Sequence, residues 1–502
     1  MITTNSISQT FNARVVAEYT ESEPLLTIAY AIPDHPWVDA SDGAAVRIAM
    51  TVVNADRNPG RLARVSNDLT AQIKEVSVGK INSRLSIGVD VAAVVRLAAN
   101  MRLACPGVQL SGQGFVLSPT EVKSFSERTQ KYLIRGYVTG RDLTQGRREQ
   151  YVLDTLGLTE EQLRRSYPDA YQRLVDYVKP EREHNPRPKY AREWWLHSEG
   201  RRKFRAALER LSRFICTSRT SRHRIFEFLP SEFLPETKVL IIALDTALHL
   251  GVLSSRFHTV FAAAAGGWLG VGNDSTYNHS GCFEPFPFPD ATDTQQSRIR
   301  DLGEQLDAHR KRQQEQHPGL TMTGMYNVLE KLRAGERLNA KDQAIHEQGL
   351  VSVLRQIHDE LDAAVADAYG WPVDLTDEEI LERLVALNRQ RADEERRGLI
   401  RWLRPEFQNP EGRTQQAVAA ESEETPVAVK KAAAGKQPWP GSLPAQVAAV
   451  QAALAELAAP VDETQIAKHF TRANKDRVAE LLETLAALGK VRELEDGRYV
   501  PV

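Results

Sequence analysis

Arg213-Phe214-Ile215-Cys216-Thr217-Ser218-Arg219-Thr220-Ser221-Arg222-His223-Arg224 opens the part of the chain whose reading decides the fold. A short β-forming run passes into a cluster of cationic side chains, and β-forming sequence continues to Pro289. The stretch includes the apolar run from Val239 to Ala243, then a helical interlude from about Leu248 to Ala265. It closes with Phe283-Glu284-Pro285-Phe286-Pro287-Phe288-Pro289. Alternating proline cannot sit in a central strand, so this last piece is expected to be a rigid extended segment that packs its rings and ends the domain.

Upstream, the charge is uneven. Between Arg187 and Arg224 there are twelve Lys or Arg against three Glu, although the whole chain carries a formal charge of only -2. A local surplus of that size can neutralise phosphates and attract a polyanion, whereas a uniformly basic coat is excluded. Residues 159–178 and 191–213 read as helical, the second carrying most of the surplus. Tyr132 to Leu143 reads as a strand, followed by another from Gln150 to Asp154. Ser118-Pro119-Thr120-Glu121 is a helix start, with serine as the cap and glutamate reaching back.

The flanks differ in character. Residues 1–60 are β-rich, with candidate strands at Pro24 to Ile32 and along Val46, Ile48, Met50 and Val52. Two or three strands do not make an independent core. Residues 293–405 are helical. Ile299, Leu302 and Leu306 form one apolar stripe. Leu350, Val353, Leu354, Ile357, Leu361, Ala364 and Val365 form another, and Thr376 to Glu379 opens a further helix as a capping box. Residues 409–443 are rich in Ala, Glu, Gln, Lys, Gly and Pro and read as a flexible linker. Beyond it, three helical patterns and strands flanking Asp496-Gly497 suggest a winged helix.

The chemistry that is absent narrows the function. Cys105, Cys216 and Cys282 lie far apart without a CxxC, so neither a zinc site nor a disulfide framework is expected, and a reducing cytoplasm is the simplest compartment. No apolar run is long enough to span a bilayer. There is no Walker loop, HExxH, GxSxG or Asn-Pro-Pro-Tyr-like tetrapeptide. Gly270 and Gly272 form a GxG without a third glycine, and read as turn residues. Glu236-Thr237-Lys238 mimics the tail of a nuclease motif but lacks an upstream Pro-Asp, so coincidence is the better reading. His223, His249 and His258 have no metal-ligand spacing. What remains is binding chemistry. Arginine suits guanine or phosphate, and asparagine suits adenine. The candidate duplex-contacting residues are Arg135, Arg141, Arg219, Arg222, His223, Arg224, Arg256, Asn273, Tyr277 and Asn278.

Several of these stretches occur in one order in a known family: Thr139-Gly140-Arg141-Asp142-Leu143, Arg219 to Arg224, Gly251 to His258, Gly270-Val271-Gly272-Asn273-Asp274, and Phe283 to Pro289. They resemble the target-recognition and C-terminal spacer regions of large single-chain Type II restriction–modification enzymes and related phage-defence adenine methyltransferases. Ile2 to Ile7 and Asp42 to Arg47 resemble late strands of the methyltransferase domain in that family. The resemblance therefore implies a chain that begins inside a class I methyltransferase fold, with the S-adenosylmethionine loop, the catalytic tetrapeptide and any nuclease lying before Met1.

The expected architecture is α+β multidomain. Incomplete methyltransferase strands occupy 1–60, a mixed α/β target-recognition domain 61–290, a helical spacer 291–408, a linker 409–443 and a winged-helix-like module 444–502. The expected role is the specificity part of a split or truncated adenine-N6 DNA methyltransferase. Its partners would be double-stranded DNA and a catalytic subunit or missing N-terminal half that holds S-adenosylmethionine. No catalytic, cofactor or metal residue is expected in this chain. The competing reading is a non-enzymatic DNA-binding or scaffold protein of a defence locus.

Overall fold

The computed structural model describes residues 1–4, 26–38, 46–55, 58–66, 72–269, 274–410 and 437–439, together with isolated positions at 7, 13 and 16 and short stretches between 446 and 501. The chain forms two compact units, Met1–Glu423 and Glu424–Val502.

The first unit opens with a five-stranded sheet: β1 (Ile2–Thr4), β2 (Thr27–Val38), β3 (Val46–Asn54), β4 (Gly60–Val65) and β5 (Ile73–Gly79), in the order β1-β3-β2-β4-β5. β3 runs antiparallel between β1 and β2, while β2 and β4 are parallel. The sheet thus extends past residue 60, where the sequence reading had placed a boundary. Its core is small, built on Ile28, Ala31, Ala49, Leu62, Ile81 and Leu85. Much apolar surface stays uncovered: Ile2, Trp37, Val53, Ile73 and Val78 are each at least half exposed. That is a large number of exposed apolar side chains for one small sheet.

The strands that follow are β6 (Ala104–Pro106), β7 (Val116–Leu117), β8 (Ile134–Val138), β9 (Tyr151–Leu153), β10 (Arg213–Ser218), β11 (Thr220–Ser221), β12 (Glu227–Pro230), β13 (Phe233–Pro235), β14 (Val239–Ile242), β15 (Gly267–Leu269) and β16 (Asp274–Thr276). They make three small sheets, ordered β12-β10-β14-β6, β13-β8-β9-β7 and β11-β16-β15. β10 is central and buried on both faces, which explains its unbroken apolar and threonine run. The Phe/Pro segment packs as expected. Phe283 and Phe286 are fully buried, and Phe286 meets His258 edge-on at 4.4 Å.

One helix and one strand depart from expectation. Residues 191–213 do not form one helix. Glu199 pairs its backbone with Gln109, and Arg201 takes a left-handed conformation (φ 56°), so the stretch is helical only at the end of Pro188–Arg192 and over Arg202–Leu208. The basic surplus is therefore spread over several short elements. Likewise, the strand expected from Tyr132 to Leu143 stops at Val138. Thr139 and Asp142 form a capping box that starts the helix Gly140–Gln145.

The helical region follows the apolar stripes. Helices α1 (Ala247–Ser254) and α2 (Arg256–Ala265) precede α3 (Asp293–Gln316), α4 (Met322–Ala334), α5 (Ala340–Gly349), α6 (Val351–Tyr369) and α7 (Asp377–Arg396). Ile299, Leu302 and Leu306 are buried. Leu350 and Val353 are exposed instead, because Leu350 sits left-handed (φ 42°) at the α5–α6 junction. α3 docks on β12 through polar contacts. Asp307 Oδ1 accepts from Phe228 N–H at 3.1 Å, Arg310 Nη2 donates to Phe226 O at 2.6 Å and Lys311 Nζ donates to Phe228 O at 2.8 Å. Gly303 lets α3 approach α1, since a Cβ there would lie 2.3 Å from Ala247 O.

In the second unit, Val450, Leu454, Ile466, Phe470, Val478, Leu482, Val491 and Tyr499 share one core. Val491–Glu493 pairs antiparallel with Tyr499–Pro501, as the hairpin reading expected, and Gln437–Pro438 pairs parallel with Phe470–Thr471. The Asp496-Gly497 turn, the Gly270–Gly272 pair and most of the 409–443 linker lie outside the described residues.

Candidate functional site

Four of the singled-out residues converge on one cleft. Arg222, His223, Arg224 and Arg256 line a space of about 770 Å³, joined by Arg64 from β4 and Arg333 from α4. Its far wall belongs to the spacer helices, and that wall engages most of the cations. Arg222 Nη2 donates to Glu330 Oε2 at 2.9 Å, and His223 Nε2 lies 2.7 Å from Asn327 Oδ1. The backbone N–H of Arg256 donates to Asp362 Oδ1 at 2.7 Å. Its guanidinium reaches Leu375 O at 2.6 Å and Asp377 Oδ1 at 2.5 Å. Burial pushes the Asp362 carboxyl up to about 6 and lowers the His223 imidazole below its ordinary value.

Tyr277 lies inside the fold, and Arg224 is half-buried at the edge of the cleft with its guanidinium turned to protein partners. The Arg224 guanidinium donates to Ser218 O, to Thr217 Oγ1 at 3.2 Å and to Ser275 O at 3.0 Å, and it lies over the Tyr277 ring. Burial with carbonyl and hydroxyl partners lowers it to about 10. Tyr277 is 1% exposed, with its hydroxyl 2.9 Å from His258 Nε2. This arginine ties the end of β10 to β16. Asn278 is also committed: its Oδ1 accepts from Gly281 N–H at 2.6 Å and caps the π-helical turn His279–Phe283. Asn273 lies outside the described residues.

The remaining arginines stay accessible. Arg135 on β8 and Arg141 in the first turn of Gly140–Gln145 are exposed. Arg219 is half-buried, with Nη1 3.4 Å from Thr237 O.

Thr237 belongs to a second cleft of about 420 Å³, bounded by 109–113, β8, the segment 148–150 and 236–237. Its lining is polar, and of it the sequence singled out only Thr139, in a family motif, and Glu236 and Thr237, for a different reason. Gln109, Gln113 and Gln150 carry no periodicity or motif, so no sequence signal marks them. Arg148 is held at the rim by Asp142, Nε to Oδ1 at 2.7 Å, and by Thr139 Oγ1 at 3.1 Å. Burial alone would raise the Asp142 carboxyl, but the hydrogen bonds from Arg148 and Thr139 hold it below its ordinary value. No group of three or more His, Cys, Asp or Glu suited to a metal ion occurs among the described residues. No helix there is long and apolar enough to cross a membrane.

Residues 98–290 match the family model described as MmeI, target recognition domain. Over those residues the target-recognition resemblance read from the motifs is supported by that match. The solved structure of the Type IIL restriction–modification enzyme MmeI in complex with DNA shares the fold, with a TM-score of 0.61 at 17% identity. That match covers 78% of this chain and 49% of the MmeI chain, so the chain spans about half the length of that enzyme. No curated protein matches the chain.

Proposed function

We propose that this chain is the specificity part of an S-adenosylmethionine-dependent adenine-N6 DNA methyltransferase of a restriction–modification or phage-defence system. It binds duplex DNA through its target-recognition domain and presents the duplex to a catalytic site carried elsewhere. The cofactor and the flipped adenine belong to that catalytic half. The observation that carries the reading is the target-recognition match over residues 98–290. Arg135, Arg141 and Arg219 are the accessible cations assigned to phosphate or base contact, and Arg222 can exchange its surface partner Glu330 for a phosphate.

The first sheet supports the second half of the reading. Ile2, Trp37, Val53, Ile73 and Val78 present apolar surface in the part that resembles late methyltransferase strands, and a catalytic partner is assigned to cover it. The test is reconstitution. The chain is co-purified with the product of the gene upstream, and methyl transfer to adenine in duplex DNA is measured for each component and for the pair. Methylation by the pair alone is the expected result. Methylation by this chain alone, or none by the pair, refutes the split arrangement.

A further inference from the structure

The polar cleft beside Glu236 holds more hydrogen-bonding capacity than the protein itself uses. The side-chain amides of Gln109, Gln113 and Gln150, the Glu236 carboxylate and the Thr237 hydroxyl all line it, and none makes a hydrogen bond to the protein. The Tyr137 side chain, 6% exposed, also lines it, and its phenol has no hydrogen-bond partner. Gln109 and Gln113 are exposed and Gln150, Glu236 and Thr237 half-buried, so these groups face solvent and are free to exchange water for a ligand rich in donors and acceptors.

The walls are rigid, which separates this cleft from a solvated surface crevice. Glu236 is fixed through its backbone, with its N–H donating to Val138 O at 2.8 Å and its main chain bridging Val108. The opposite wall is held by the buried Arg182, whose Nε donates to Ser111 O at 2.6 Å and whose Nη2 donates to Leu110 O at 2.5 Å. The held backbone fixes where these side chains start, which limits the ordering that binding costs. Cations stand at the rim, with Arg148 on Asp142, Lys238 next to Thr237 and Arg219 against Thr237 O. They suit the phosphates that flank a groove.

We propose that this cleft is the base-reading subsite of the domain, with Gln109, Gln113, Gln150 and Glu236 as the specificity-determining side chains and the edges of base pairs in duplex DNA as their ligand. Glutamine pairs bidentately with adenine N6 and N7, and glutamate accepts from cytosine N4. The lining accordingly favours A·T and C·G pairs over a guanine presented to Glu236. Partial burial raises the Glu236 carboxyl above its ordinary value, with Lys238 opposing, and a cytosine amino group would return it to a hydrogen-bonded ionised state. The inference rests on the DNA-binding reading above.

The experiment uses the full chain and a randomised duplex pool. Bound duplexes are sequenced to define a preferred site, and affinities for that site and for a scrambled duplex are then measured over a salt series. Gln113→Ala, Gln150→Ala and Glu236→Gln are compared with the unaltered chain. Each is expected to weaken the preferred duplex by about 5- to 100-fold, to relax or change the preference at one position and to leave the scrambled duplex and the salt slope unchanged. Gln113 is exposed, so that variant keeps the test decisive even where an inner substitution disturbs folding. An unaltered chain that selects a site while Gln113→Ala and the other folded variants select it equally overturns the subsite alone. An unaltered chain that binds no duplex at low salt overturns the DNA-binding reading and this inference together.

Discussion

Arg182 and Ser111 are joined by a 2.6 Å hydrogen bond from guanidinium Nε to main-chain oxygen, in a setting where the arginine is 1% exposed. The same group also reaches Leu110 O and Leu196 O, so one side chain ties the helix Lys179–Glu183 to the wall of the polar cleft. Its acceptors are all carbonyls, and burial lowers its pKa below the ordinary arginine value. Removing it takes the guanidinium donor from Ser111 O and Leu196 O and leaves Leu110 O only the 3.4 Å bond from Ser198 N–H. Arg182→Ala is expected to lower unfolding stability by about 2–4 kcal/mol, read from the urea midpoint. A midpoint equal to that of the parent chain would contradict this account of the cleft wall.

Arg222 and Arg224 stand two residues apart and are expected to behave in opposite ways. The Arg222–Glu330 pair is more than half exposed on both sides, so Arg222→Ala should change stability by less than about 1 kcal/mol. It should reduce the salt slope of duplex binding by about one. Arg224→Ala strips donors from Ser218 O and Ser275 O inside the fold and is expected to destabilise by about 2–3 kcal/mol. Thermal unfolding of both variants beside a binding isotherm separates the two roles.

Gly303 sets how closely α3 lies on α1. Gly303→Ala places a methyl 2.3 Å from Ala247 O, and the helices must part. The expected loss is about 1–3 kcal/mol, despite the better helix propensity of alanine. A more stable alanine variant would show that α3 is free to shift.

Acid should weaken the fold through buried histidines. Burial pushes His197 and His249 down to about 4, and His258 and His358 down to about 3. Unfolded histidine titrates near 6.5, so below that pH the unfolded chain binds more protons. The stability these groups supply is complete above about pH 6.5 and is lost progressively as pH falls toward their folded values. Asp362, raised to about 6, acts in the opposite direction: its contribution is full below its unfolded value and is lost as pH rises through 6. Four groups outweigh one. The net loss at pH 5.5 is on the order of 1 kcal/mol per histidine, less about 1 kcal/mol recovered from Asp362. Urea midpoints that rise on acidification from neutral pH would show the sign to be wrong.

The parts of the fold that sequence made legible are those written in local periodicity and capping. Ile299, Leu302 and Leu306 recur at helical spacing and are buried, and Thr376 with Glu379 makes both bonds of its capping box. The alternation from Val46 to Val52 lies within β3. Failures came where distant backbone intervened. Nothing near Glu199 announces that Gln109, ninety residues earlier, will pair with it and end a helix-like run. The protein partners of Arg224 were hidden for another reason. A guanidinium that clamps carbonyls inside a protein and one that meets a phosphate outside it have the same letter and similar neighbours. The polar cleft was illegible because its residues come from chain segments that meet only when β13 pairs in parallel with β8.

The uncovered side of the first sheet has a practical consequence for anyone preparing this polypeptide by itself. Trp37, Val53 and Val78 will seek any greasy surface at hand, and β5 leaves a seven-residue edge open to a second strand. Preparations of the solitary chain should bind hydrophobic dyes and form concentration-dependent clumps. Detergent, or truncation past the sheet, should disperse them.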